Sequence, residues 1–470
     1  MRNTSLDYLV EATGGILYAQ DRTKQHDSVH GVVIDSRAAE EGVLFFCIIG
    51  ERVDAHTFLP DVREKGCHNV VVSNLEWADK MMALGDMNVI LVEDTTMALV
   101  KLGTRYMDDW YGLRRVAITG SVGKTSTKEF VYSVLSSRYR TGKNPGNLNS
   151  EFGIPMACCG FDEDIEISIN EIGLGYGLDM EYLVNIVKPE VAVVTNVGTS
   201  HLEVYGSREE LRNAKLRITN SLKRGGTLIA NTDGDMLDEN QIINNTKGGF
   251  KLVQIGSSGS CDYRVCDICD KGVDGVECKI EIEGYTESFK LTLPVVGAHN
   301  LYNAALAIAV GACFDIKPAD AIEALQSVEW NDNRLDVRRG SDYTVINDCY
   351  NASPESMKAG IDIVVHSDAK RKGAVLGDMF ELGDNSEALH ASVGTYAAEK
   401  GLDFVITIGS NSKAIAEAAL KADPDMQVVS YEDRAAAIED IENVLQKGDL
   451  LLVKASRAMA LEVLSDAISH

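Results

Sequence analysis

Residues 114–139 constrain this chain most. RRVAIT is a continuous apolar strand and GSVG is a turn bounded by two glycines. KTSTKEFVYSVLSSRY is then an amphipathic helix in which Phe130/Val134 and Val131/Leu135 recur at i, i+4. A strand that passes through a glycine bend into a helix aims backbone N–H groups and a positive dipole end at one spot, which suits an anion. The candidate phosphate contacts are Gly120, Ser121, Gly123, Lys124, Thr125 and Ser126. Lys124 supplies a mobile point charge and Thr125 a hydroxyl for Mg²⁺. Only two residues separate the glycines, where the common G-x4-G-K-[ST] loop has four; a capped glycine turn is the bland alternative.

The rest of the chain repeats strand and helix. GVVIDS, VLFFCIIG, HNVVVS and MNVILVED precede this segment. IEISINEIG, EVAVVTNVG and GGTLIAN follow it, and DYTVIND, KGAVLGDM, DFVITIG and DLLLVKAS form a last group. This alternation predicts an α/β fold with parallel sheets and right-handed crossovers. At roughly 100–200 residues per domain, 470 residues make about three domains. The expected divisions are 1–112, 113–316 and 317–470. In such sheets ligands bind beyond the carboxyl ends of the strands, so residues just after each strand carry the information.

Hydrophobic residues at 45% and charged residues at 25% exclude wholesale disorder and fibrous repeats. Lys plus Arg total 45 against 71 Asp plus Glu, a net charge of −26. That balance repels nucleic acid and anionic lipid, so neither is an expected partner. With no signal-peptide core and no apolar run near bilayer length, the expected location is the cytoplasm. Ten cysteines are scattered. Cys261, Cys266, Cys269 and Cys278 have a C-x4-C-x2-C…C look, but they fall in a segment that reads as a β-hairpin. Structural thiols are the expectation there and a metal site the alternative.

Several polar residues stand out: Glu171, His201 and Asp348 follow strands, Asn300 and Asn303 start a helix, Lys215 sits in the helical run RNAKLRI, and Arg334 is a lone charge in NDNRLD. Taken singly they read as surface, capping or ion-paired side chains. Asn300 and Asn303 stand three apart, so both amides can face one ligand, and an amide offers the donor and acceptor an adenine edge requires.

TGSVGKTS resembles the TGSNGKTT/S loop of the Mur ligases, the ATP-dependent amide-forming enzymes of peptidoglycan synthesis, with Val122 in place of Asn. The resemblance extends through all three expected domains. It implies a three-domain architecture with a central P-loop-type parallel or mixed sheet and a C-terminal Rossmann-like domain. It makes Thr125, Glu171 and His201 ligands of two Mg²⁺ ions. Lys215, in A-K-L-R-I, becomes a lysine carbamylated by CO₂ that joins them. Lys124, Lys215 and His201 take the catalytic roles. Asn300 and Asn303, in G-x-H-N-x-x-N-A, become the base site, with Arg334, Asp348, Tyr350 and Asn351 on the nucleotide. Asp35-Ser36-Arg37 resembles the element used near the UDP moiety. Asn147, Asn149 and Ser150 match the G-N-x-N-N-E-x-G substrate loop, with Ser150 replacing Asn. The stretch after Glu171 is looser than the family's E-M-G-M/A-N/R.

D-C-Y-N-A-S-P-E-S-M, then G-D-M-F-E-L-G followed by His390, then Lys454-Ala-Ser-Arg457, resemble the branch of the family that adds the last unit. The implied partners are UDP-N-acetylmuramoyl-tripeptide and D-Ala-D-Ala, joined through an acyl phosphate by a monomer whose domains close. His390, Lys454 and Arg457 become contacts to substrate. The cysteine hairpin also resembles relatives with a zinc ribbon that amidate lipid-linked precursors, but those lack G-D-M-x-E-L-G. A folylpolyglutamate-synthetase-like ligase and a non-catalytic nucleotide-binding protein are the other readings. No N-K-x-D base reader supports a guanine switch.

Overall fold

Apolar runs with both faces buried make the inner strands, such as Arg114–Thr119, Val191–Val194 and Leu450–Lys454, and with shorter or more polar edge strands they assemble into three sheets. The computed structural model describes residues 4–18, 29–174, 177–328 and 334–469. Residues 175 and 176, in the stretch after Glu171, and 331–333, ahead of Arg334, lie outside the described residues. The first sheet contains β1 (Ile16–Tyr18), β2 (Gly31–Val33), β3 (Val43–Phe46), β4 (Asn69–Val72) and β5 (Asn88–Leu91) in the order β1-β5-β4-β3-β2. It is parallel except for the β1–β5 pair.

The central sheet has nine strands. They are β6 (Arg114–Thr119), β7 (Thr141–Lys143), β8 (Ile167–Glu171), β9 (Val191–Val194), β10 (Thr227–Asn231), β11 (Lys251–Gly256), β12 (Tyr263–Asp270), β13 (Val276–Ile282) and β14 (Phe289–Leu293). Their order is β14-β13-β12-β11-β10-β9-β6-β8-β7, with β12–β13 and β13–β14 antiparallel and the rest parallel. The sheet is therefore mixed, and the expected hairpin is the β12–β13 pair. On one face Val116 and Ile118 of β6 pack with Phe130, Val131, Val134 and Leu135 of the helix Lys124–Ser136. On the other, Ala117 shares a core with Ile154, Leu183 and Ile186, and with Leu99 and Leu102 of the helix Thr95–Asp108. One continuous core thus ties the first unit to the second.

The third sheet contains β15 (Asp336–Arg339), β16 (Thr344–Asp348), β17 (Lys372–Gly377), β18 (Phe404–Ile408), β19 (Gln427–Tyr431) and β20 (Leu450–Lys454), ordered β15-β16-β20-β17-β18-β19. Only β15 runs antiparallel to its neighbour. The helix Pro318–Leu325, which a division at 316 would assign here, packs instead beside the helix Lys124–Ser136, where Ser133 Oγ donates to Ala324 O at 2.7 Å. The chain leaves the central unit after that helix. Contacts join the two units: Val273 N donates to Ser367 Oγ at 2.9 Å, and His366 Nδ1 lies 3.0 Å from Asp270. Among the described residues no helix is long and apolar enough to cross a membrane.

Candidate active site

The bend after β6 is held from below. Thr195 Oγ1 and Asn196 Nδ2 donate to Val122 O at 2.6 and 2.8 Å, and Asn196 Oδ1 accepts from Val122 N at 3.0 Å. Two side chains after β9 therefore grip the backbone of Val122, whatever its own side chain is. Gly120 (φ 154°) has no room for a Cβ, which would stand 1.9 Å from Thr195 Oγ1. Gly123 (φ 83°) caps the helix Lys124–Ser136 in the left-handed region, where glycine is favoured, and a Cβ there would press on the Asn303 amide. The buried Ser121 Oγ has no hydrogen-bond partner among the described residues, an open donor and acceptor in the loop itself.

Lys124 Nζ folds back onto Gly120 O (2.9 Å) and Ser121 O (3.1 Å). Lys215, fully buried on the helix Arg208–Leu216, donates to the same Gly120 carbonyl at 2.9 Å. Burial, then the charge of Lys124, pushes the Lys215 amine far below the ordinary lysine range. Burial also lowers Lys124.

Glu171, the last residue of β8, is buried among polar partners. Oε2 accepts from Thr125 Oγ1 at 2.9 Å and stands 3.2 Å from Lys128 Nζ, and Oε1 accepts from Asn149 Nδ2 at 2.9 Å. Burial alone would raise this carboxyl, but Lys128, Lys124 and the Asn149 hydrogen bond hold it below the usual glutamate value. Asn144 clamps the adjacent backbone, accepting from Glu171 N at 2.8 Å and donating to Glu171 O at 3.1 Å. Thr125 and Glu171 thus set two hard oxygen donors side by side next to the phosphate loop, a pair that fits Mg²⁺ completed by phosphate oxygens. His201, in the left-handed region at φ 66°, turns Nδ1 to within 2.7 Å of Glu381, a residue of G-D-M-F-E-L-G.

The opposite wall comes from the helix His299–Cys313 and the third unit. Asn303 reaches the loop at Gly123. Asn300 does not face the same space: it is fully buried, its Nδ2 donates to Val296 O at 2.8 Å, and its Oδ1 accepts from Asn303 at 3.0 Å. It orients Asn303, a correction to the expectation that both amides meet one ligand. Lys454, buried at the end of β20, pairs with Asp348 and donates to Asn351 O at 2.8 Å. The Arg334 guanidinium lies 3.8 Å from the centre of the Tyr350 ring, with Arg457 at 5.8 Å from that ring centre. Thr199 Oγ1 donates to Glu355 Oε2 at 3.1 Å, bringing the two units into contact beside these groups.

A cavity of about 560 Å³ lies among these groups, with Gly120, Lys215 and Arg457 outside its lining. Ser121, Lys124, Thr125, Ser126, Asn147, Asn149, Glu171, His201 and Asn303 line it from the central unit, and Arg334, Asp348, Tyr350, Asn351 and Lys454 from the third. Ser150 is not brought there: its Oγ accepts from Gly153 N at 3.3 Å at the start of the helix Gly153–Gly160. His390 is not brought there either. It is fully buried, Nε2 accepts from Met379 N at 3.0 Å, and Nδ1 is 2.7 Å from Ser386 O, so one nitrogen serves the backbone of the G-D-M turn and the other the first residue of its own helix, Ser386–Glu399. Burial lowers its pKa further from the charged form. Ser36 and Arg37 belong to the first unit and do not line the cavity; Arg37 is exposed and paired with Asp35 at 2.6 Å. Among the described residues no three His, Cys, Asp or Glu side chains gather as a metal site, the hairpin cysteines included. Cys278 is buried, and Cys266 Sγ donates to Lys279 O at 3.5 Å. The residues that sequence reasoning missed are Lys128, Asn144 and Asn196. Only Lys128 had a local signal, its i, i+4 spacing from Lys124.

Residues 118–311 match the Mur ligase middle domain and residues 333–457 the Mur ligase, glutamate ligase domain. The chain is 37% identical over 438 residues, 92% of each protein, to the UDP-N-acetylmuramoyl-tripeptide–D-alanyl-D-alanine ligase of Bacillus subtilis. Its fold is similar to that of MurF from Acinetobacter baumannii, with a TM-score of 0.88, 27% identity, and coverage of 99% of this chain and 98% of that one. It is also similar to MurF ligase from Thermotoga maritima, a structure in complex with ADP, with a TM-score of 0.80, 25% identity, and coverage of 94% and 97%. A glycine bend gripped by Thr195 and Asn196, a buried acid beside it and a facing third sheet agree with these similarities: the chain belongs to the Mur ligase family.

Proposed function

We propose that this chain uses ATP to join D-Ala-D-Ala to UDP-N-acetylmuramoyl-tripeptide by way of an acyl phosphate, releasing ADP and phosphate. One observation carries the reading. The phosphate loop, the Glu171 carboxylate and the Asp348–Lys454 pair of another unit face a single cavity large enough for a nucleotide and a peptide end. A peptide carboxylate attacking a γ-phosphate brings two anions together, so the barrier is largely electrostatic. Lys124 leaves its own loop carbonyls to meet the phosphates, and Ser121 and the loop N–H groups cradle them. Asn303, held by Asn300, presents its amide to the base, and Arg334, backed by Tyr350, faces the phosphates.

Thr125 and Glu171 hold Mg²⁺, which supplies charge neutralisation at the phosphates. His201 and Lys215 offer only nitrogen donors as they stand, so their part in a second Mg²⁺ site requires Lys215 as a carbamate. A buried amine with a depressed pKa is neutral enough to take up CO₂. Asn147 and Asn149 stand on the peptide side, and closure of the third unit excludes water from the acyl phosphate. The protein works as a monomer in the cytoplasm. The test is phosphate release from ATP with UDP-N-acetylmuramoyl-tripeptide, with and without D-Ala-D-Ala. Release that depends on both substrates supports the reading, and none in the complete mixture contradicts it.

A further inference from the structure

Lys128 lies one turn beyond Lys124 on the helix Lys124–Ser136, and the nucleotide reading gives it no part. It is nevertheless buried, 1% exposed, and a buried ammonium requires partners for its protons. Three acceptors converge on it: Asn144 O at 3.1 Å, Gly146 O at 3.3 Å and Glu171 Oε2 at 3.2 Å. The carbonyls open the loop that carries Asn147 and Asn149 into the cavity, and Asn149 returns to the other oxygen of Glu171. One cation therefore fastens the phosphate-loop helix, the peptide-side loop and the acid at the end of β8.

A carboxylate already facing an ammonium attracts a dication less, because the ammonium repels it at short range in a buried setting. Nucleotide phosphates add the negative charge that reverses this balance. We propose that Lys128 is a positioning residue that makes divalent-ion binding at Glu171 conditional on bound nucleotide, while keeping the 144–149 loop in register with the phosphate loop. The inference rests on the reading of Glu171 as a metal ligand.

Mn²⁺ alone, titrated into the nucleotide-free full chain and followed by electron paramagnetic resonance, tests it. Lys128→Met is expected to bind Mn²⁺ about tenfold tighter than the parent, with a lower kcat and a raised KM for the UDP-linked peptide. Lys128→Arg keeps the parent's Mn²⁺ affinity. Unchanged or weaker Mn²⁺ binding by Lys128→Met overturns the inference. Glu171→Gln separates the two levels. If it abolishes Mn²⁺ binding but Lys128→Met brings no tightening, the inference alone fails. If Mn²⁺ binding ignores Glu171→Gln, the metal reading fails and the inference with it. Should Lys128→Met not fold, Lys128→Gln, whose amide can still donate to Asn144 O, is read against the same results.

Discussion

The amines of Lys124 and Lys215 share one acceptor, each Nζ donating to the carbonyl of Gly120 at 2.9 Å. Burial disfavours the charged form of the more enclosed amine, Lys215, and the neighbouring charge of Lys124 adds to this, so its pKa falls well below the ordinary lysine range. The arrangement sets the more enclosed amine of Lys215 beside that of Lys124 on one carbonyl.

Lys215→Ala is expected to lower turnover at least about 100-fold, with partial rescue by short-chain carboxylates that stand in for the carbamate. Phosphate release measures both. Because the folded amine titrates below the ordinary lysine value, its neutral fraction falls as pH drops through that lowered pKa. Removing bicarbonate should therefore cost more activity toward the acid side. An unaffected rate in Lys215→Ala contradicts the carbamate.

Asn196→Ala removes a donor and an acceptor from the Val122 backbone and should raise KM for ATP about tenfold through a loosened loop. Val122→Asn leaves that grip intact and should change KM for ATP by no more than about twofold. Steady-state kinetics at saturating peptide separate the two.

Tyr350 supports Arg334 by its ring face. Tyr350→Ala should weaken ADP binding about three- to tenfold, in keeping with a cation–π contact of roughly 0.5–1 kcal/mol plus lost packing. Tyr350→Phe should keep the parent's affinity. Calorimetric titration with ADP distinguishes the outcomes.

His390→Ala should act on stability, not on substrate. Losing both backbone contacts in a buried setting costs about 1–3 kcal/mol, read as a lower thermal midpoint, while KM for D-Ala-D-Ala stays near the parent's. Burial depresses the folded imidazole pKa, so the unfolded chain binds the proton more readily. His390's contribution is complete above the ordinary value of about 6.5 and is lost as pH falls through the lower folded value. His390→Gln, whose amide oxygen can accept from Met379 N, should flatten that acid-side loss.

The phosphate loop was legible because its information is local: glycine spacing, a buried strand before it and helical periodicity after it. The central strands were legible for a like reason, since runs such as VAVV in β9 are buried on both faces. The edges were not. β7 is three residues, Thr141–Lys143, and β15 is the charged run DVRR, and neither carries an apolar signal. Lys128 was illegible in its role because its acceptors at 144, 146 and 171 arrive only through tertiary packing. His390 misled because a histidine after a signature reads as a ligand, whereas here Met379 and Ser386 use both of its nitrogens.

The central claim is that this cavity makes a peptide acid reactive by phosphorylating it. The most direct measurement labels the peptide carboxylate of UDP-N-acetylmuramoyl-tripeptide with ¹⁸O and follows the released phosphate by mass spectrometry during turnover with ATP and D-Ala-D-Ala. The account predicts one ¹⁸O in each phosphate released and one retained in the new amide. Phosphate free of ¹⁸O, released alongside the amide product, would contradict it.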